Sequence, residues 1–196
     1  LGNDVITLAS GDGTDQIVVN DSAAGPGSIS IYNFQNAGGG DAVDLSLTGI
    51  GGLDLDGSNA NTLVDVDGSG ADATGAIILL ERSGVIDFDD TDADASVLVL
   101  DSDIADSTAL LTALAASGTH EVTLGAALTD NDAFLVLWDN GTDSYLSSVG
   151  NKSGSTITDG DTLTTAELAT EVLVTFYGLS DAGAFTAADL GTTLIA

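Results

Sequence analysis

Ser10-Gly11-Asp12-Gly13-Thr14-Asp15-Gln16-Ile17-Val18 packs two glycines and two aspartates into one turn and follows them with apolar residues. It fits the nonapeptide pattern G-G-x-G-x-D-x-U-x, with Ser10 at the first glycine position. Small residues let backbone carbonyls rotate towards a cation, and aspartate adds a carboxylate. The chemistry this pattern could do is oxygen ligation of a hard cation such as calcium. Asn3 and Asp4 stand in a similar setting one unit earlier, in Gly2-Asn3-Asp4-Val5-Ile6. Asp41 and Asp44 return to it in Gly39-Gly40-Asp41-Ala42-Val43-Asp44-Leu45-Ser46.

Two further acidic stretches could do the same. Asp65-Val66-Asp67-Gly68-Ser69-Gly70-Ala71-Asp72 starts like an EF-hand loop, but the twelfth position is Ala76 where a bidentate glutamate is needed. A looser site built on Asp65 and Asp67 stands beside a plain solvated turn. Asp87, Asp89, Asp90, Asp92 and Asp94 crowd five carboxylates into eight residues. Such runs are usually solvated loops. Here there is almost no lysine or arginine to relieve the repulsion, which favours a cation. Asp139, Asn140 and Asp143 read most simply as a hairpin turn.

Other chemistries find less material. His120 is the single histidine, and His120-Glu121-Val122-Thr123-Leu124 lacks the second histidine of a zincin helix. No G-x-S-x-G elbow is present to make a hydrolase triad. His120 is therefore expected to be a plain surface or strand-end residue. Arg82 and Lys152 are the only cations, each expected to pair with a nearby aspartate. Carboxylate pairs are plentiful, but a sugar-cleaving cleft also needs aromatics, and most of the few here fall in strand patterns.

The whole composition supports this weighting. The 196 residues carry 2 basic and 31 acidic side chains, a formal charge of −29. That balance excludes nucleic-acid binding through phosphates, and it opposes adhesion to anionic membranes. The absence of cysteine excludes disulfides and thiolate metal sites. No apolar run reaches the roughly 18 residues that a membrane span needs. At 43% hydrophobic residues the chain has enough Val, Leu, Ile and Ala for a core, which disordered acidic chains lack. A compact body at −29 repels itself and must gather counter-ions.

The elements that must hold these turns read as mainly β. We expect a short-stranded β-roll or β-sandwich-like architecture with two or three short helices. Strands are expected at Ser28–Phe34, Ala76–Leu80, Ser96–Leu100, Ala133–Trp138, Ser144–Val149 and Val172–Tyr177. Asn140-Gly141 marks a hairpin between two of them. A helix is expected over 106–117, capped by Asp106 or Ser107 and ended by Gly118, with Leu110, Leu111 and Leu114 on one face. Thr164-Thr165-Ala166-Glu167 resembles a capping box and predicts a second short helix. Thr186-Ala187-Ala188-Asp189 is a weaker cap. The expected division is a β-roll segment, 1–48, and a β-rich C-terminal domain, 49–196, which could pack as one body. The start at Leu1, inside a patterned segment and without a leader, reads as a fragment or a processed product.

At this point the residues resemble a family. Gly11 to Val18, then Ile31-Tyr32-Asn33-Phe34, then Asp41-Ala42-Val43-Asp44-Leu45-Ser46, look like the closing stretch of an RTX β-roll. Phe134 to Leu146, Asp161 to Leu168 and Phe176-Tyr177-Gly178-Leu179 are similar to C-terminal regions of type I-secreted RTX proteins, among them surface-layer proteins and large adhesins. The likeness covers both ends and leaves 50–118 poorly matched. It implies calcium-triggered folding outside the cell and an uncleaved C-terminal secretion signal. Asp15 would be the carboxylate ligand, Gly11 and Gly13 would lend carbonyls, and Asp12 a side chain or a carbonyl. Asn3 and Asp4 would serve one turn earlier. Only one full nonapeptide is present, whereas a roll needs several stacked turns.

The expectation is thus a non-enzymatic, extracellular or cell-surface, calcium-binding structural protein of bacterial type. It would belong to a surface layer, filament or adhesin. Its partners would be copies of itself, as oligomer or polymer, and cell-surface polysaccharide. Two alternatives stand beside it. One is the secretion and folding domain of a secreted RTX protease or lipase. The other is a halophile protein whose acids only hold hydrated salt.

Overall fold

A computed structural model of the chain describes residues 3–9, 11, 13–18, 28–36, 40–44, 62–63, 79–88, 97–125, 127–128, 132–152, 155, 157–158 and 160–191. The strands are β1 (Asp4–Thr7), β2 (Gln16–Val18), β3 (Ile29–Tyr32), β4 (Ala42–Asp44), β5 (Thr62–Leu63), β6 (Leu79–Arg82), β7 (Ile86–Asp87), β8 (Val97–Asp103), β9 (Val122–Thr123), β10 (Asp132–Asp139), β11 (Ser144–Asn151) and β12 (Leu168–Tyr177). One helix, α1, runs over Ser107–Leu114, and 3₁₀ turns cover Ala182–Ala184 and Ala187–Leu190. The mainly β expectation holds, with open sheets in a sandwich-like arrangement.

The main sheet has the order β1-β3-β12-β11-β10-β8-β6, and β5 pairs with one end of β10. The hairpin partner β11 is antiparallel to β10 and β12, and every other pairing in the sheet is parallel. Parallel strands covered on both faces read as continuous apolar runs. That is why Val97–Leu100 and Ala133–Trp138 are buried at every position. Successive residues then serve opposite faces. Val97, Val99, Leu135 and Leu137 join one core, while Leu98, Leu100, Phe134, Val136 and Trp138 join the other.

The first core lies under β2, β4 and the two 3₁₀ turns, which send in Ile17, Val43, Ala182, Phe185 and Leu190. The second lies under α1, β7, β9 and the segment around 157–163, through Ile86, Leu110, Leu114, Val122, Ile157 and Leu163. At the β1 end no described element covers the second face. No residue of β1 or β3 belongs to that core, and Val5, Tyr32 and Tyr177 are exposed. Four aromatics cross that face, the chain's one Trp and three Tyr. Trp138 stacks on Tyr145 with centroids 4.3 Å apart, and Tyr177 stacks on Tyr32 at 4.4 Å.

The four N-terminal strands form two coils. The chain passes from β1 in the main sheet to β2 in the covering layer, back to β3 and out again to β4. β1 pairs parallel with β3, and β2 pairs parallel with β4. This is a two-rung parallel roll, joined to the rest through β3–β12 pairing.

The expected helix over 106–117 forms, shortened to Ser107–Leu114. Asp106 caps it through its side chain, which accepts from Ala109 N at 2.8 Å. Thr186 and Asp189 make a full capping box for the last 3₁₀ turn. The capping signal at Thr164–Glu167 opens no helix. Thr164 Oγ1 donates to the Glu167 carboxylate, Glu167 N donates to Thr164 O at 3.1 Å, and a turn results. The chain then enters β12 at Leu168, held by pairing with Asn151. Strand pairing wins over a local signal worth about 1 kcal/mol.

Candidate functional site

The candidate cation turns join β1 to β2 and β3 to β4. Gln16 lies in register with Ala42, Ile17 with Val43 and Val18 with Asp44, so the two coils set Asp15 and Asp41 at equivalent places, each just before its strand. Both coils read Asp, any residue, then a buried aliphatic. Gly11 and Gly13 have φ of 82° and 129°, backbone that L side chains rarely adopt. Their carbonyls can therefore turn as a cation-binding loop requires. Gly40 is needed for a different reason. A Cβ there would lie 1.6 Å from Gln35 O.

Asp41 is 1% exposed. Its Oδ1 accepts from Asp15 N at 2.9 Å and its Oδ2 accepts from Gln35 N at 2.9 Å. Asp41 N donates to Gln35 O, and Ala42 N donates to Asp15 O, both at 2.8 Å. One carboxylate thus staples the first coil's turn to the second. The donors around Asp15 fit a hard cation: oxygen ligands only, positive-φ glycines and a half-buried aspartate. Calcium there would be held by Asp15 and the Gly11 and Gly13 carbonyls, and its charge would offset the crowding of carboxylates.

The remaining sequence candidates are dispersed. Asn3 and Asp4 are exposed at the start of β1, about 13 Å of strand away from the Gly11–Asp15 turn. Asp44 has its backbone in β4, in register with Val18. Asp87 is half-buried at the end of β7, opposite Thr123. Asp12, Asp65, Asp67, Asp89, Asp90 and Asp92 lie outside the described residues, as does the side chain of Asp44. Among the described residues no three acidic or histidine side chains converge as a ready metal cluster.

The Asp139–Asp143 segment is the turn expected. Asn140 Oδ1 accepts from Thr142 N and Asp143 N, and Gly141 has φ of 78°. Asp139 does more than turn the chain. It is 5% exposed, and its two oxygens accept from Gly141 N and from Ala182 N, tying the hairpin to the C-terminal 3₁₀ turn. Asp103 stands opposite it on β8. Burial pushes the Asp139 carboxyl above its usual range; its two N–H donors pull it down, and Asp103 adds to the rise.

His120 sits just before β9, at the strand end expected, but it is fully buried rather than on the surface. Its Nε2 lies 2.6 Å from Ser102 Oγ, and its Nδ1 has no hydrogen-bond partner among the described residues. Burial holds the imidazole below its usual value, against the opposing pull of the Gly84 backbone and Asp101. Both residues line a cleft of about 900 Å³ with Ser83, Asp103, Asp106 and Thr112. Sequence spacing alone could not pair residues 18 apart; the single histidine was the one available signal. Lys152 also differs, since its Nζ donates to the Thr165 and Ala166 carbonyls at 3.3 Å. Arg82 Nη1 donates to Glu81 O at 2.9 Å.

Comparison with protein-family models, with curated proteins and with solved structures returns no match.

Proposed function

We propose that this chain is an extracellular calcium-binding structural or self-assembly protein, of the kind found in surface layers, filaments or adhesins. In this reading it is akin to the C-terminal regions of type I-secreted RTX proteins. The observation that carries the reading is the two-rung parallel roll, in which Asp15 and Asp41 precede in-register strands. Stacked turns of this kind are what an ion between coils would clamp. The charge of −29 supports it, because cations that bind the folded form turn self-repulsion into folding energy. Among the described residues no helix is long and apolar enough to cross a membrane. The face with exposed Val5, Tyr32 and Tyr177 is a surface that a neighbouring copy or a polysaccharide could cover.

Thermal unfolding at constant high NaCl, with and without millimolar calcium, tests this reading. Calcium at about 100 times its dissociation constant adds roughly 2.7 kcal/mol. For a chain of this size that is a rise in Tm of about 5–10 °C. Asp15→Asn should remove most of the rise while leaving the calcium-free Tm nearly unchanged. If calcium does no more than added NaCl, the turns are ordinary β-turns and the reading fails.

A further inference from the structure

The Ser102–His120 pair has the geometry of a nucleophile with its base. Ser102 is exposed at the end of β8, and His120 is buried behind it with Nε2 at 2.6 Å. In the tautomer with its proton on Nδ1, the neutral ring leaves Nε2 free to accept the serine O–H. Asp101 lies close enough to favour the charged imidazolium. The cleft in front is roomy enough for a small ligand. It is lined by Asp103 and Asp106, which repel anions.

We propose that Ser102 is an activated nucleophile, with His120 as its general base, that takes acyl groups from small neutral or cationic esters bound in this cleft. Ser102 Oγ attacks the ester carbonyl carbon, and its proton passes to His120 Nε2. The bond from carbonyl carbon to leaving oxygen breaks, and the imidazolium returns the proton to the departing alcohol. Water then enters, gives a proton to Nε2 and attacks the seryl ester. The proton goes back to Ser102 Oγ as the free acid leaves. This chemistry is separate from the calcium reading and stands or falls without it.

A biotinylated fluorophosphonate on the intact folded chain, followed by peptide mass spectrometry, tests the nucleophile. Release of p-nitrophenol from p-nitrophenyl acetate tests the turnover. The expected result is a label concentrated on Ser102. Ester cleavage should fall about 100-fold in Ser102→Ala, a general-base-sized loss. The rate should rise as pH passes an inflection below the ordinary imidazole value. Ser102 is exposed, so Ser102→Ala should keep the near-ultraviolet signal of buried Trp138, which shows that the variant folds. A label spread evenly over the chain's hydroxyls, or unchanged ester cleavage by folded Ser102→Ala, overturns the proposal.

Discussion

Asp139 and Asp103 face each other on adjacent parallel strands, a like-charge pair that the fold tolerates because Asp139 has two backbone donors. A carboxyl whose folded pKa lies above its unfolded value binds protons more readily when folded. Stability therefore falls as pH rises from the unfolded value of about 3.8 through the raised folded one. Above that window the full cost of the buried charge remains. Asp103→Asn removes the opposing charge without touching either donor. It should raise stability at pH 7 by roughly 0.5 kcal/mol, with the gain shrinking as pH falls through the window. Urea midpoints at pH 7 and pH 4 check this, and an equal gain at both would show that charge is not the cause.

At the scale of elements, Asp41 is the piece on which the roll turns. Its carboxylate gives both oxygens to N–H groups on two different segments, Asp15 and Gln35. Asp41→Ala leaves two donors without acceptors and should cost about 3 kcal/mol. Asp41→Asn keeps one acceptor and should cost about half of that. Chemical denaturation gives both numbers, and near-neutral values would mean that water replaces the staple. This residue also marks a limit of legibility. An aspartate after glycines signals a carboxylate aimed into a turn, but a cation and a pair of backbone N–H groups ask for the same residue in the same place. The strands at 97–100 and 133–138 were legible because burial on both faces leaves an unbroken apolar run. The helix at α1 was legible from its cap and its Leu face. The failed helix at Thr164–Glu167 was not, because the competing pull comes from Asn151 on another strand. Ser102 and His120 come together only when the α1–β9 loop folds back, which no local spacing records.

For the whole molecule the sheet is the organising fact. Two cores sit on its two faces, and the coils that carry the candidate cation turns join only one of them among the described residues. Their covering strands are short, three residues each, and their turns are glycine-rich. Among the described residues, Asp41 and the buried pair Ile17 and Val43 hold the first coil's turn. An ion at Asp15 would add to that hold. The same arrangement leaves the aromatic row from Trp138 to Tyr32 partly open, with Trp138 buried, Tyr145 half-buried and the outer pair, Tyr32 and Tyr177, exposed. Trp138 Nε1 donates to Ser147 Oγ, and Asn140 Nδ2 donates to Tyr145 Oη.

The place of β12 between β3 and β11 has a consequence in time. Among the described residues it is the last strand, yet it lies inside the sheet, and there the roll reaches the rest of that sheet only through it. The β10–β11 hairpin closes a four-residue turn and can form early, whereas β3–β12 pairing must bring together distant parts of the chain. Such non-local pairing places folding in the millisecond-to-second range. Pulsed hydrogen exchange during refolding should protect the amides of Phe134–Val149 first. Those of Ile29–Tyr32 and Val174–Tyr177 should follow together in one slower phase. Protection of β3 before β12 would mean that the roll folds alone. If the order is as expected, the N-terminal coils stay unanchored until the final strand is in hand, and the chain has a built-in delay between being made and being finished.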